Sequence, residues 1–110
     1  MMIADPLQQI RKLLEKGPAH LYTIAKAFGL SYGSVQWYAF DGMRKGLWKM
    51  RRVAEKVVVY LPGQDPLDAV TMGDLIMCLK RHAPRDKPLR ELPNLLRMCL
   101  DEDLLRELLG

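Results

Sequence analysis

The chain has 110 residues, 49% of them hydrophobic, and a formal net charge of +4. That is material for one domain with a real core, and it excludes a disordered tail. No apolar run approaches the ~20 residues that a spanning helix needs, and Met1-Met2-Ile3-Ala4-Asp5-Pro6 lacks the basic-then-apolar pattern of a signal peptide, so a cytoplasmic protein, nucleoid-associated in a prokaryote, is expected.

Asp5-Pro6 reads as an N-cap and first helical residue, and Leu7, Ile10, Leu13 and Leu14 then recur at helical spacing until Gly17-Pro18. A second helix is expected over His20 to Phe28, ended by Gly29. A third opens at Ser31 or Tyr32, carries Val35, Tyr38, Ala39 and Met43, and closes at Gly46. The period then changes. Leu47 to Val53 and Val57 to Leu61 read as the strands of a β-hairpin separated by Ala54-Glu55-Lys56. Gln64 to Ala69 is a linker. Thr71-x-x-Asp74 resembles a capping box for a helix reaching about Arg81. Ala83 to Pro88 is a loop, and the Leu-rich stretch from Pro93 to Leu109 is mainly helix, broken near Asp101. The order is helix, helix, helix, hairpin, helix, helix.

The basic charge is concentrated in the first half. Residues 1–63 hold ten Lys/Arg against four Asp/Glu, while residues 64–110 hold seven against nine. Only the first half suits a polyanion. Cys78 and Cys99, among apolar neighbours and with no Cys-x-x-Cys or Cys/His spacing, are expected to be two buried small hydrophobes. His20 and His82 look isolated, as surface or capping residues.

The stretch Ile24-Ala25-Lys26-Ala27-Phe28-Gly29-Leu30-Ser31, with Val35 and Tyr38 behind it and Gly46-Leu47 at the helix exit, resembles the winged helix-turn-helix DNA-binding family of transcription regulators. The resemblance covers about residues 7–63. It implies a mainly α fold with a small β-hairpin, with appended C-terminal helices over 64–110 in the same compact unit. Ala25 would let the third helix approach, Gly29 make the turn, and Leu30 plug it. One position departs from the family pattern. Gly42 stands where a bulky apolar residue is usual, so the helix is expected to kink or end early there.

The resemblance also implies a recognition helix over about 31–45 and a basic wing over about 47–61. On the helix, Ser31 and Ser34 suit a phosphate, Gln36 an adenine edge, and Tyr32 a thymine methyl or a phosphate. Trp37 is open between core, DNA contact and protein interface. Lys26, Arg44 and Lys45 flank the helix, and Lys49, Arg51, Arg52 and Lys56 line the wing. The implied partner is double-stranded DNA, bound by a homodimer through the Leu-rich C-terminal helices or by a unit whose C-terminal helices fold back on it. Asp101, Glu102 and Asp103 are expected to form an acidic patch pointing away from DNA. The alternatives are a protein-interaction module in a replication, partition or transcription assembly, and RNA binding through the wing. No nucleophile–base pair, P-loop or metal spacing stands out, so no enzyme, cofactor or metal is expected.

Overall fold

The computed structural model describes residues 5–83 and 85–110, so the readings that fall on Met1–Ala4 and on Pro84 lie outside it. Asp5 caps helix α1 (Pro6–Leu14) by accepting from the Gln8 N–H, with Pro6 in the first turn. Strand β1 (Ala19–His20) and helix α2 (Leu21–Phe28) follow, and the second helix therefore starts at Leu21, with His20 in the sheet. Gly29 takes the left-handed conformation (φ 64°), and the Leu30 N–H donates to the Ala25 carbonyl at 3.0 Å. That tight turn sends the chain into α3 (Tyr32–Arg44), capped by the Ser31 hydroxyl on the Ser34 N–H. Ile24 and Ala25 from α2 meet Val35 and Ala39 from α3, all buried, over Ile10 and Leu14 of α1.

Helix α3 runs through Gly42 without interruption, against expectation. The reason is Trp48. A Cβ at residue 42 would lie 2.0 Å from the indole Cζ2. The indole is buried, and its N–H donates to the Ala39 carbonyl at 2.8 Å. A glycine inside a helix costs roughly 1 kcal/mol, whereas truncating a buried Trp costs about 3–5 kcal/mol. The close approach wins: the apolar bulk is supplied from the residue just before the next strand instead of from the helix. Arg11 completes the corner by donating to the Leu47 carbonyl at 2.7 Å.

Strands β2 (Lys49–Val53) and β3 (Lys56–Tyr60) form the expected hairpin, but the sheet has a third strand, in the order β1-β3-β2, all antiparallel. Two residues are too few to show a period, which is why β1 was not legible. The hairpin turn is also shorter than expected. Lys56 pairs with Val53, leaving Ala54 and Glu55 as a two-residue turn with φ of 49° and 66°. Left-handed non-glycine residues cost roughly 1–2 kcal/mol each. Contacts to the C-terminal helices hold them: the Ala54 N–H donates to the Cys99 carbonyl at 2.8 Å, and the Glu55 carboxylate meets Arg81 and His82.

Those helices are α4 (Met72–His82), α5 (Leu92–Cys99) and α6 (Glu102–Leu109), preceded by a 3₁₀ turn at Pro66–Ala69 and interrupted by another at Leu89–Glu91. The Thr71/Asp74 capping box is complete, each side chain meeting the other residue's backbone N–H. The α5–α6 break falls at Leu100-Asp101, and the Asp101 carboxylate caps α6. Cys78 and Cys99 are joined as a disulfide between α4 and the end of α5, which corrects the expectation of two separate thiols.

The sheet separates two cores. One face presents Met50, Val57 and Val59 to the α1–α3 core, while the other presents Val53, Val58 and Tyr60 to a core containing Cys78, Cys99, Leu100 and Leu104. The unbroken run Val57-Val58-Val59 follows from this, since a strand covered on both faces needs apolar residues at every position. Among the described residues, then, the chain is mainly helical with a small three-stranded antiparallel sheet, its C-terminal helices folded back on the sheet.

Candidate nucleic-acid interface

Helix α3 buries one side and leaves the other uncovered. Gly33, Gln36, Trp37, Phe40 and Arg44, which fall on one side of the helix, are all exposed. Trp37 is 61% exposed, with the edge of the Tyr38 ring 5.7 Å away between ring centres, so it is not a core residue. Phe40, 44% exposed on the same stripe, was not singled out from the sequence. Its spacing from Trp37 and Gly33 was the available signal. At the start of the helix the Ser31 and Ser34 hydroxyls are 2.9 Å apart, with Ser31 donating, which leaves the Ser34 hydroxyl hydrogen for an outside acceptor. Tyr32 is half-buried, its ring 4.6 Å from that of Tyr22.

The cations divide into two groups. Lys26 on α2, Arg44 and Lys45 at the end of α3, and Lys49 and Arg52 on β2 are exposed. Asp41 partly neutralises Arg44 and Lys45, at 3.8 and 3.2 Å. Arg51 and Lys56 are half-buried and already engaged. Arg51 reaches the Asp101 carboxylate at 3.1 Å, and the Lys56 ammonium lies 4.9 Å from the centre of the Tyr22 ring. From the sequence, Asp101, Glu102 and Asp103 are expected to form an acidic patch pointing away from DNA; in the structure Asp101 is engaged with the hairpin through Arg51, and Glu102 pairs with Arg97 at 2.7 Å.

The hairpin tip is not a free projection. Val53 and Ala54 are buried under the C-terminal helices, and Glu55 accepts from Arg81 at 3.1 Å and meets His82 Nε2 at 2.6 Å. The hydrogen bond with His82, with Arg81 and Arg52 adding, holds the Glu55 carboxyl below the usual glutamate range. The Asp101 carboxyl is likewise lowered, by the Leu104 backbone N–H first and by Arg51 next. Asp74 is lowered by the Thr71 backbone N–H. His20, by contrast, is pushed down by its own burial and by Lys56.

Four side chains around the tip were not assembled from the sequence. Ligand atoms of Glu55, Cys78 and His82 lie within 4.8 Å of one another, and Cys99 is bonded to Cys78. The isolated reading of His82 and the absence of a Cys/His spacing are both corrected here. Cys78 and His82 are four residues apart on α4, one turn along one face. No family profile matches the chain, and no curated protein sequence is significantly similar to it.

Proposed function

We propose that this is a winged helix-turn-helix protein that binds duplex DNA, acting as a small transcriptional regulator with α3 as the recognition helix. The observation that carries this reading is the uncovered stripe of α3, with exposed cations on the elements before and after it in the chain, Lys26 on α2, Arg44 and Lys45 at the helix end, and Lys49 and Arg52 on β2. A helix presented in this way fits the major groove. Gln36 supplies a bidentate partner for adenine, and Ser31 and Ser34 meet a phosphate where the helix N–H groups favour an anion. The arrangement helix, strand, helix, helix, hairpin, with sheet order β1-β3-β2, supports the same reading.

Because the hairpin tip is tied down, the wing contacts phosphates with its side, through Lys49 and Arg52, and not with its point. Neutralising about four phosphates gives a slope of log affinity against log salt of roughly −3 to −4. Two copies joined through the apolar groove of Leu92, Leu96, Leu105 and Leu109 would set the two recognition helices about one DNA turn, ~34 Å, apart. Such a regulator works inside the cell. The Cys78–Cys99 bond attaches a condition to that, since reducing compartments keep most thiols free. Among the described residues no helix is long and apolar enough to cross a membrane.

The exposed Trp37 and Phe40 favour a second reading, a protein-docking module in a replication, partition or transcription assembly, because aromatics are enriched in such interfaces. Titration of a randomised duplex pool against salt separates the two. Expected are salt-sensitive binding, loss of site preference in Gln36→Ala, and a slope closer to zero by about 2 in a Lys49→Ala/Arg52→Ala double variant. No duplex binding at low salt overturns the DNA reading, and a monomer at micromolar concentration removes the dimer.

A further inference from the structure

Two buried sulfurs and two half-buried polar groups converge where the hairpin tip meets α4 and α5. Cys78 and Cys99 lie on the inner side, buried at 1% and 5% exposure, with Cα atoms 6.0 Å apart. Glu55 and His82 lie on the outer side, bonded to each other. The four come from three separate elements, the β2–β3 turn, α4 and the end of α5, and the Ala54 N–H bond to the Cys99 carbonyl fixes the turn against that end.

We infer that, once the Cys78–Cys99 bond is reduced, these four side chains form a closed structural zinc site, with Cys78, Cys99 and His82 as ligands and Glu55 as the fourth. The donor set is right for this ion: zinc takes four tetrahedral ligands from thiolate, imidazole and carboxylate. Glu55, Cys78 and His82 already bring their ligand atoms within 4.8 Å of one another. Two thiolates each about 2.3 Å from one tetrahedral ion sit about 3.7 Å apart, so once the bond is broken the Cys99 sulfur, which stands outside that set of three, must both separate from Cys78 and turn toward Glu55 and His82. Charge is compensated as well. Two thiolates and a carboxylate exceed the ion by one negative charge, and Arg81 already donates to the other Glu55 oxygen at 3.1 Å, where it orients the ligand from outside.

The exchange balances. A dithiol reductant of the thioredoxin class delivers two electrons and two protons to the disulfide, leaving two thiols and its own disulfide. Zinc then displaces the two thiol protons into solvent. In reverse, a small-molecule disulfide oxidant takes two electrons from the bound thiolates and two protons from solvent, its own bond breaks to give two thiols, the Cys78–Cys99 bond re-forms, and the ion leaves. In the oxidised state the covalent bond joins α4 to α5. In the reduced state the metal joins both of them to the hairpin tip as well. The inference does not depend on DNA binding.

The test compares one protein in two redox states. The full chain is reduced with a phosphine under nitrogen, desalted, and loaded with Zn²⁺ or Co²⁺ beside an oxidised sample. Expected is one ion per chain in the reduced protein and none in the oxidised one. The cobalt form should show the strong d–d absorption of a tetrahedral site and a thiolate charge-transfer band. His82→Gln and Glu55→Gln, which keep both sulfurs, should each weaken zinc binding by at least about tenfold, as loss of a ligand or its close partner does. Oxidised glutathione should then expel one zinc per chain. Equal metal uptake in both redox states, or undiminished affinity in both variants, overturns the site. If the reduced chain unfolds without metal, zinc must restore its far-ultraviolet circular dichroism, and failure to do so counts equally against the inference.

Discussion

The layers on the two faces of the sheet are held in different ways. The α1–α3 layer is closed by continuous apolar packing, with Ile10, Leu14, Ile24, Val35, Ala39 and Trp48 nearly sealed from solvent and side-chain-to-backbone bonds from Arg11, Trp48 and Gln64 at its corners. The α4–α6 layer has a smaller core, and it adds a disulfide, charged contacts to the hairpin and carboxylate caps. Apolar packing is insensitive to redox state, pH and ions, whereas each of the added devices responds to one of them. The layer proposed to meet DNA is therefore built to be constant, and the layer behind the sheet to be conditional.

The largest effect should come from the constant layer. Trp48→Ala is expected to cost about 3–5 kcal/mol, because it empties the space that Gly42 leaves and removes the bond to Ala39. Gly42→Leu should be destabilising by about 1–3 kcal/mol or more from overpacking against the same indole, despite its better helix propensity. Urea unfolding measures both. A Gly42→Leu variant as stable as the parent would show that Trp48 does not rest on that glycine.

Reduction of Cys78–Cys99 without added metal comes next. Opening a loop of 21 residues' separation should cost about 3 kcal/mol in the chain-entropy account. The loss should fall on the C-terminal layer. Hydrogen exchange should accelerate in α4–α6 while amides of α2 and α3 stay protected. Uniform acceleration across both layers would mean that they unfold as one unit and would remove the contrast.

Acid should distinguish the layers as well. Glu55, Asp74 and Asp101 have lowered folded-state pKa values, so each contributes stability that is present above the ordinary carboxylate range and lost as pH falls through its folded value. All three bind within the C-terminal layer or tie it to the hairpin. His20, lowered mainly by burial, has the same sign at higher pH, because below the ordinary histidine value the unfolded chain takes up the proton more readily. Melting temperature should fall slightly below pH ~6.5 and more steeply below ~4. The steep part should vanish from a protein in which the three carboxylates are made amides.

Thr71→Ala, which breaks the capping box, should cost about 1 kcal/mol, within the usual range for a lost N-cap. That box was legible because a cap is a local device, set by residues three apart. Gly29 and the α2–α3 turn were legible for the same reason. Strand β1 was not, because two residues carry no period, and its pairing with β3 spans about forty positions. Gly42 was misjudged because the sequence states the glycine but not the indole that fills its place. The pairing of Cys78 with Cys99, and of Glu55 with His82, depends on how the C-terminal layer lies against the sheet, which no spacing along the chain encodes. Of the candidate site, the α3 residues were found through their register, whereas the engagement of Arg51 by Asp101 needed the fold.

That ion pair ties the C-terminal layer to strand β2 of the hairpin, and there the smallest effect is expected. Arg51 is half-buried and Asp101 more than half exposed, so the pair should be worth only ~0.2–1 kcal/mol, screened by salt. Asp101→Asn keeps a competent cap on α6 while removing the charge. Stability should scarcely change. Binding should change more: a released Arg51 adds one cation to the wing, strengthens duplex affinity, and steepens the salt slope by about 1. If affinity rises and the slope is unchanged, the hairpin acts through the position of the C-terminal layer and not through phosphate contact. If neither moves, the wing does not touch DNA, and α3 binds without it.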